Sequence, residues 1–161
     1  MSADIKLPEG APEEVVTQAL VREVNLSAFG AKGVLALITL DNTLDHNRPN
    51  TFGPQSLVAL DAAITAAIAS KPAAIAITGK PFIFAAGADL SALSFITARE
   101  QSLGIGKLGH DVFRRLGESS IPTFAFINGL ALGGGLEVGL HCHYRTLAST
   151  SLPAYQKSSL D

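Results

Sequence analysis

Glu137 follows three consecutive glycines, Gly133, Gly134 and Gly135, in the stretch Ile127-Asn-Gly-Leu-Ala-Leu-Gly-Gly-Gly-Leu-Glu-Val-Gly-Leu140. A hydrophobic run enters the glycines, which let the backbone approach a ligand closely, and Leu136 to Cys142 then reads as a helix. The first N–H groups of a helix have no intrahelical partner, so they point outward and can stabilise a developing negative oxygen. Gly134 is thereby placed to lend its amide. Glu137, about one helical turn further on, is close enough to move a proton.

A second segment, Phe82-Ile-Phe-Ala-Ala-Gly-Ala-Asp-Leu90, has the same logic. An apolar run ends in a turn of small residues, Ala86, Gly87 and Ala88, and Asp89 is placed to cap a following helix. Two such turns can each supply one backbone donor to a single oxygen, which is an oxyanion hole. Each piece also has a blander reading. A carboxylate in the first turn of a helix is favoured by the helix dipole by about 0.3 to 1 kcal/mol, whatever its chemistry. The glycines equally permit tight helix–sheet packing, and Asp89 suits a helix cap better than a catalytic acid.

Other clusters point elsewhere less well. Gly104-Ile-Gly-Lys-Leu-Gly109 has the spacing of a dinucleotide fingerprint, but that motif needs a strand before it, and Thr97 to Leu103 is polar and helix-compatible. Gly79-Lys80 lacks the remainder of a phosphate-binding loop. His141-Cys142-His143 invites a metal, yet adjacent helical residues point about 100° apart and three in a row cannot converge on one ion. His110-Asp111 and Ser119-Ser120 lack the surroundings of an activated nucleophile.

The elements that must carry these residues alternate. Val16 to Leu26 is a predicted strand, joined through the turn Ala28 to Gly33 to a second, Val34 to Leu40, in a hairpin. Asp41 to Pro54 is loop. Leu57, Leu60, Ile64 and Ile68 recur at helical spacing before Lys71-Pro72, and a strand follows at Ala74 to Thr78. Leu90 to Arg99 suggests short helical turns, Leu108, Val112 and Leu116 mark another helix, Thr123 to Asn128 is β-rich, and Tyr144 to Ala148 begins one more strand. Strands alternating with helices predict an α/β fold with a mainly parallel sheet.

The sequence has 161 residues, 47% hydrophobic and 16% charged, enough for one core of ordinary size. Twelve basic against fourteen acidic residues give a net charge of −2, so no overall positive field draws the chain to nucleic acid or an anionic membrane. The longest apolar stretch, Ile121 to Leu140, is broken by Pro122, Asn128, Glu137 and several glycines, which makes it a poor membrane span. No secretory pattern opens the sequence, and the single Cys142 cannot form an intramolecular disulfide, so the expected setting is cytoplasmic.

Ala86-Gly-Ala-Asp-Leu90 and Asn128-Gly-Leu-Ala-Leu-Gly-Gly-Gly-Leu-Glu137 together resemble the paired motifs of the crotonase family, the enoyl-CoA hydratases and isomerases, in their order and separation. The resemblance implies a spiral of β-β-α units. It assigns the oxyanion donors to the amides of Ala88 and Gly134, the acid/base to Glu137, and substrate contacts to Ala86, Gly87, Asp89 and Gly133. Arg48, in the loop segment His46-Asn-Arg48, falls where related proteins approach coenzyme A, so it is a candidate phosphate contact beside its reading as a solvated loop charge. The implied substrate is an acyl-CoA thioester, with no metal or redox cofactor, coenzyme A being part of the substrate.

The segment Asp41 to Pro54 also looks like the hydratase part of bacterial multifunctional fatty-acid oxidation proteins, which join a hydratase to a 3-hydroxyacyl-CoA dehydrogenase. The expected organisation is a leader over 1–13, the N-terminal portion of a crotonase-like domain over 14–150, and an atypical truncated tail over 151–161. Hydratases of the family use a second glutamate, which by spacing falls near Lys157, where the sequence reads Leu152-Pro-Ala-Tyr-Gln-Lys-Ser-Ser-Leu-Asp161. Neither that acid nor the later helices that build family trimers are present. Hydration of trans-2-enoyl-CoA is therefore the first expectation. An inactive acyl-CoA-binding fragment and an isomerase remain beside it.

Overall fold

The computed structural model describes residues 10–45, 47–89 and 99–149, and within the last range the side chains from Leu103 onward. Strand β1 (Gln18–Asn25) pairs antiparallel with β2 (Val34–Asp41), in register from Gln18 against Asp41 to Asn25 against Val34. The hairpin turns through a short 3-10 segment, Leu26–Phe29, closed by Gly30 at φ 77°. This strand is shorter than the predicted Val16 to Leu26 at both ends, for local reasons. Thr17 is diverted into bonds with Ser56 Oγ (2.9 Å) and the Thr51 carbonyl (2.7 Å). At the far end the Asn25 side chain accepts from Ser27 N–H and starts the turn.

From β2 the sheet continues in parallel through β3 (Ala74–Gly79), β5 (Thr123–Ile127) and β7 (Tyr144–Leu147), in the order β1-β2-β3-β5-β7. A second, two-stranded parallel sheet holds β4 (Phe82–Ala85) and β6 (Gly129–Ala131). Helices α1 (Pro54–Ala69), α2 (Arg99–Gly117) and α3 (Gly134–His141) complete the order. The chain thus repeats one path, β3-β4-α2 and then β5-β6-α3. Each time the first strand enters the large sheet, the second enters the small one, and a helix returns. That is the β-β-α spiral, mainly parallel, with β1 as its antiparallel edge.

Helix α1 buries Leu57, Leu60, Ala63, Ile64 and Ala67 on one face, and these share one hydrophobic core with Ile38, Leu40 and Ile77 of the sheet and Val112, Phe113 and Leu116 of α2. Burying a leucine fully contributes about 1.5 to 3 kcal/mol, so this face holds the helix in place. The helix begins at Pro54, before the first predicted apolar position, because its N-terminus is capped from outside. The buried Glu14 carboxylate accepts from Gln55 N–H (2.9 Å), Ser56 N–H (2.8 Å) and Ser56 Oγ–H (2.6 Å). Gly53 leaves it room, since a Cβ there would lie 2.4 Å from Glu14 Cδ.

The corners of the spiral are pinned by polar side chains. Asn128 accepts from Gly79 N–H (3.0 Å) and donates to the carbonyls of Gly79 (3.1 Å) and Lys80 (2.8 Å), joining the β3–β4 corner to the β5–β6 corner. Asn50, fully buried, donates to Leu40 and Phe84 carbonyls and accepts from Asn42 N–H. The buried Lys80 ammonium donates to Asn42 Oδ1 and to the carbonyls of Leu44 and Asp45, which holds the loop after β2. These bonds give Gly79-Lys80 a structural role. The predicted tail over 151–161, and the predicted turns from Leu90 to Arg99 as far as residue 98, lie outside the described residues; among the described residues no helix is long and apolar enough to cross a membrane.

The α3 segment differs from expectation in its limits. It runs from Gly134 to His141 instead of Leu136 to Cys142, because Gly134 and Gly135 take helical geometry themselves after the preceding strand β6, which the periodicity had not separated from the glycine turn. Gly135 is a packing glycine: a Cβ there would stand 2.0 Å from the Ala85 carbonyl oxygen and 2.6 Å from its carbon. Backbone cannot yield that distance locally. Gly135→Ala is expected to destabilise the fold by about 1 to 3 kcal/mol, the ordinary cost of overpacking. Thermal unfolding beside Gly134→Ala checks it, and equal stability of the two variants would contradict it.

Candidate active site

The two small-residue turns meet. The peptide between Gly87 and Ala88 bridges to Phe52, whose N–H donates to the Gly87 carbonyl (2.7 Å), while Asp89 N–H donates to the Phe52 carbonyl (3.2 Å). No peptide bond among the described residues is cis, so the Ala88 N–H points opposite to the Gly87 carbonyl and away from Phe52. In the other turn Gly133 caps α3 at φ 49° and ψ −125°, a conformation open only to glycine. Its carbonyl accepts from Glu137 N–H (3.0 Å), so by the same reasoning the Gly134 N–H points back out of the helix start. Neither amide has a hydrogen-bond partner among the described residues.

The turns touch at Gly87, which has φ 88°; a Cβ there would sit 3.0 Å from Gly134 N and 3.0 Å from the Leu132 carbonyl oxygen. Gly134 itself has room, its nearest prospective contact being Gly87 Cα at 3.6 Å. The three glycines therefore divide the work: Gly133 makes the bend, Gly134 leaves room for a Cβ at ordinary contact distance, and Gly135 packs on β4.

A cleft of about 220 Å3 opens beside these turns, lined by Ala88, Gly134 and Glu137, with Phe52, Phe113 and Ile105 among its apolar walls. Phe52 and Phe113 meet edge to face with centroids 5.6 Å apart. Glu137 stands exposed in the first turn of α3, where the dipole favours its charge. Of the residues expected at the site, Ala88, Gly134 and Glu137 come together on this cleft. Ala86, Gly87 and Gly133 shape its two turns, with Ala86 N–H donating to the Asn50 carbonyl (2.8 Å). Asp89 follows on the Phe52 bridge, and the segment it was expected to cap lies outside the described residues. Arg48 lies exposed on the loop after β2 and is not among the described residues that line the cleft.

Two features of the cleft escaped the sequence reading. Phe52, in a segment read only as loop, bridges the first turn through its backbone and walls the cleft with its ring. His110, one of the pair set aside for lacking a nucleophile, lines the cleft from α2. Its position follows from the helical spacing with Val112, Phe113 and Leu116, but only once the face of α2 that meets α3 is known.

The remaining motifs find structural employment. Gly104 to Gly109 lies inside α2, so its glycines do not form the strand-to-helix turn of a dinucleotide fingerprint. His141 Nδ1 pairs with the Glu137 carbonyl (2.9 Å), whereas His143 Nδ1 accepts from Thr123 N–H (3.0 Å) and its Nε2 pairs with the Gly117 carbonyl (3.1 Å). Cys142 between them is buried, and burial pushes its thiol up to about 11. Among the described residues no three His, Cys, Asp or Glu side chains gather as metal ligands would. On the outer face of α2, the Lys107 hydrogen bond holds the Asp111 carboxyl below its usual range.

The chain is similar in sequence and fold to known proteins. The chain is 38% identical over 120 residues to the fatty acid oxidation complex subunit alpha of Shewanella loihica, covering 73% of this chain and 17% of that protein. The same-named protein of Shewanella frigidimarina is 38% identical over 117 residues, 69% of this chain and 16% of its own. The chain thus spans about one sixth of the length of these curated relatives. Pseudomonas aeruginosa DspI has a similar structure, with a TM-score of 0.69 at 26% identity over 89% of this chain and 54% of that one. An enoyl-CoA hydratase from Bacillus anthracis shares the fold, with a TM-score of 0.67 at 24% identity over 81% and 48%. Residues 30–159 match the family described as enoyl-CoA hydratase/isomerase, and with the β-β-α spiral and both glycine turns in place the chain belongs to that family, the crotonases.

Proposed function

We propose that the chain supports reversible addition of water to a trans-2-enoyl-CoA thioester. The observation that carries this reading is that two uncommitted amides, of Ala88 and Gly134, border the same cleft as Glu137. In the proposed step the water oxygen bonds to C3 of the enoyl group as one water proton leaves. The C2–C3 π pair moves toward the thioester carbonyl, and the resulting enolate oxygen is held by the two amides. Protonation at C2 then completes the 3-hydroxyacyl thioester. Fixed donors gain strength as charge moves onto that oxygen, which is how such a hole lowers a barrier. Glu137 exchanges a proton with the water or with C2.

Arg48 is assigned in this reading to a phosphate of coenzyme A, and the chemistry requires no metal or redox cofactor. The relatives' name, fatty acid oxidation complex subunit alpha, supports a setting in fatty-acid oxidation; in this reading the chain is part of a larger cytoplasmic, oligomeric protein in which a 3-hydroxyacyl-CoA dehydrogenase consumes the product. A double-bond isomerase is the second reading, favoured because Glu137 is the one carboxylate among the described residues lining the cleft. Isomerisation takes a proton from one carbon and returns it to another, which a single carboxylate can do.

Crotonyl-CoA tests the assignment. Hydration removes the conjugated absorbance of the enoyl thioester and yields 3-hydroxybutyryl-CoA, whereas an isomerase given a 3-enoyl-CoA moves the double bond and adds no hydroxyl. Binding of butyryl-CoA without either reaction would instead identify an acyl-CoA-binding fragment.

A further inference from the structure

Of the residues known to line the cleft, only Glu137 and His110 carry side chains able to donate and accept protons. They stand on different helices, α3 and α2. The three described histidines differ in how far their rings are committed. His143 uses both ring nitrogens, and His141 uses Nδ1 on the Glu137 carbonyl. Neither nitrogen of His110 has a hydrogen-bond partner among the described residues. Its ring is nevertheless braced, lying edge to face against His141 with centroids 5.8 Å apart and an interplanar angle of 78°. His141 is in turn packed near Phe113, 6.0 Å between centroids. An exposed side chain at the cleft, resting on one neighbouring ring and with both nitrogens unspent, suits a group that must give and take a proton during a reaction.

The geometry points to His110 as the second proton-transfer residue of this site, acting across the cleft from Glu137. The inference rests on the enoyl thioester reading and adds to it the partner acid. The Glu137 carboxylate takes a proton from water as the water oxygen bonds to C3, and the π pair moves through C2 to the thioester oxygen. The enolate collapses as the imidazolium of His110 delivers its proton to C2. A proton passing from Glu137 to His110, through solvent at the mouth, restores both groups, so the net change is one water added. Lys107, Asp111 and Arg114 flank His110 on α2; Glu137 and His141 face it from α3. From α1 and the preceding loop, Leu57 and Phe52 bring only apolar surface to the cleft.

The test compares the full 161-residue chain with His110→Asn, using crotonyl-CoA from pH 5 to 9. The expected result is a loss of kcat of about a hundredfold or more, with KM changed less than about threefold, the range of general acid catalysis. Retained turnover in His110→Asn would overturn the proposal and leave the hydratase reading intact. Should the native chain bind butyryl-CoA but hydrate nothing, the hydratase reading fails, and the His110 ring signals in NMR decide the proposal separately. Its ring resonances must respond both to Glu137→Gln and to butyryl-CoA. Silence in both measurements rejects a place for His110 at the reacting carbons.

Discussion

Glu137→Gln is expected to lower turnover about a hundred- to ten-thousandfold while leaving KM for crotonyl-CoA nearly unchanged, the signature of lost proton transfer. The substitution isolates that role because Glu137 has little else to do. Its side chain is exposed and makes no hydrogen bond or ion pair with any described residue; only its backbone is engaged, the N–H on the Gly133 carbonyl and the carbonyl with His141 Nδ1. Glutamine keeps the length and removes the charge. Folding loses only the dipole interaction of a first-turn carboxylate, about 0.3 to 1 kcal/mol. Stability and rate therefore separate: thermal unfolding of the variant stays close to the parent while kcat collapses. If turnover survives the change, Glu137 is a solvated helix-start charge and nothing more.

The contrast between Glu137 and its neighbours marks what the sequence could disclose. Turn residues are legible because their physical demands are local: Gly133 must adopt φ 49°, and a run of three glycines ending in a carboxylate announces a strand-to-helix bend wherever it occurs. The α/β alternation was legible for a similar reason, since the apolar spacing of Leu57, Leu60 and Ile64 reflects the helix itself. Long-range contacts leave no such mark. Nothing in the spacing of Asn128 says that it will bond to Gly79 and Lys80, 49 and 48 residues away. Nor does Glu14 reveal that it will cap a helix 42 residues later. The short strand β6 was hidden because three residues between Asn128 and the glycines carry too little periodicity to separate strand from turn. His110 was hidden by a different limit. Helical spacing fixes which residues share a face, but not which face meets the cleft, and that is decided by how α2 packs against α1 and α3.

Gly134→Pro should cost about 2.7 to 4 kcal/mol of barrier, roughly a hundred- to thousandfold in kcat, because it deletes a single N–H from the proposed oxyanion hole. The fold is suited to accept it. Gly134 is the first residue of α3, where proline is favoured because the N–H there has no place in the helix ladder. Its φ lies outside the left-handed region, and the nearest prospective Cβ contact, Gly87 Cα, is at 3.6 Å. Gly134→Ala is the matched control, adding a Cβ at ordinary contact distance while keeping the amide, so its rate should stay within about threefold of the parent, in line with a surface substitution. The pair distinguishes three physical pictures. Loss in proline alone assigns the effect to the missing donor. Equal loss in both variants means that bulk at this turn obstructs the cleft. Equal retention removes Gly134 from the chemistry and leaves Ala88 as the sole amide donor, an arrangement in which the enolate oxygen would keep one fixed partner and must find its second in water.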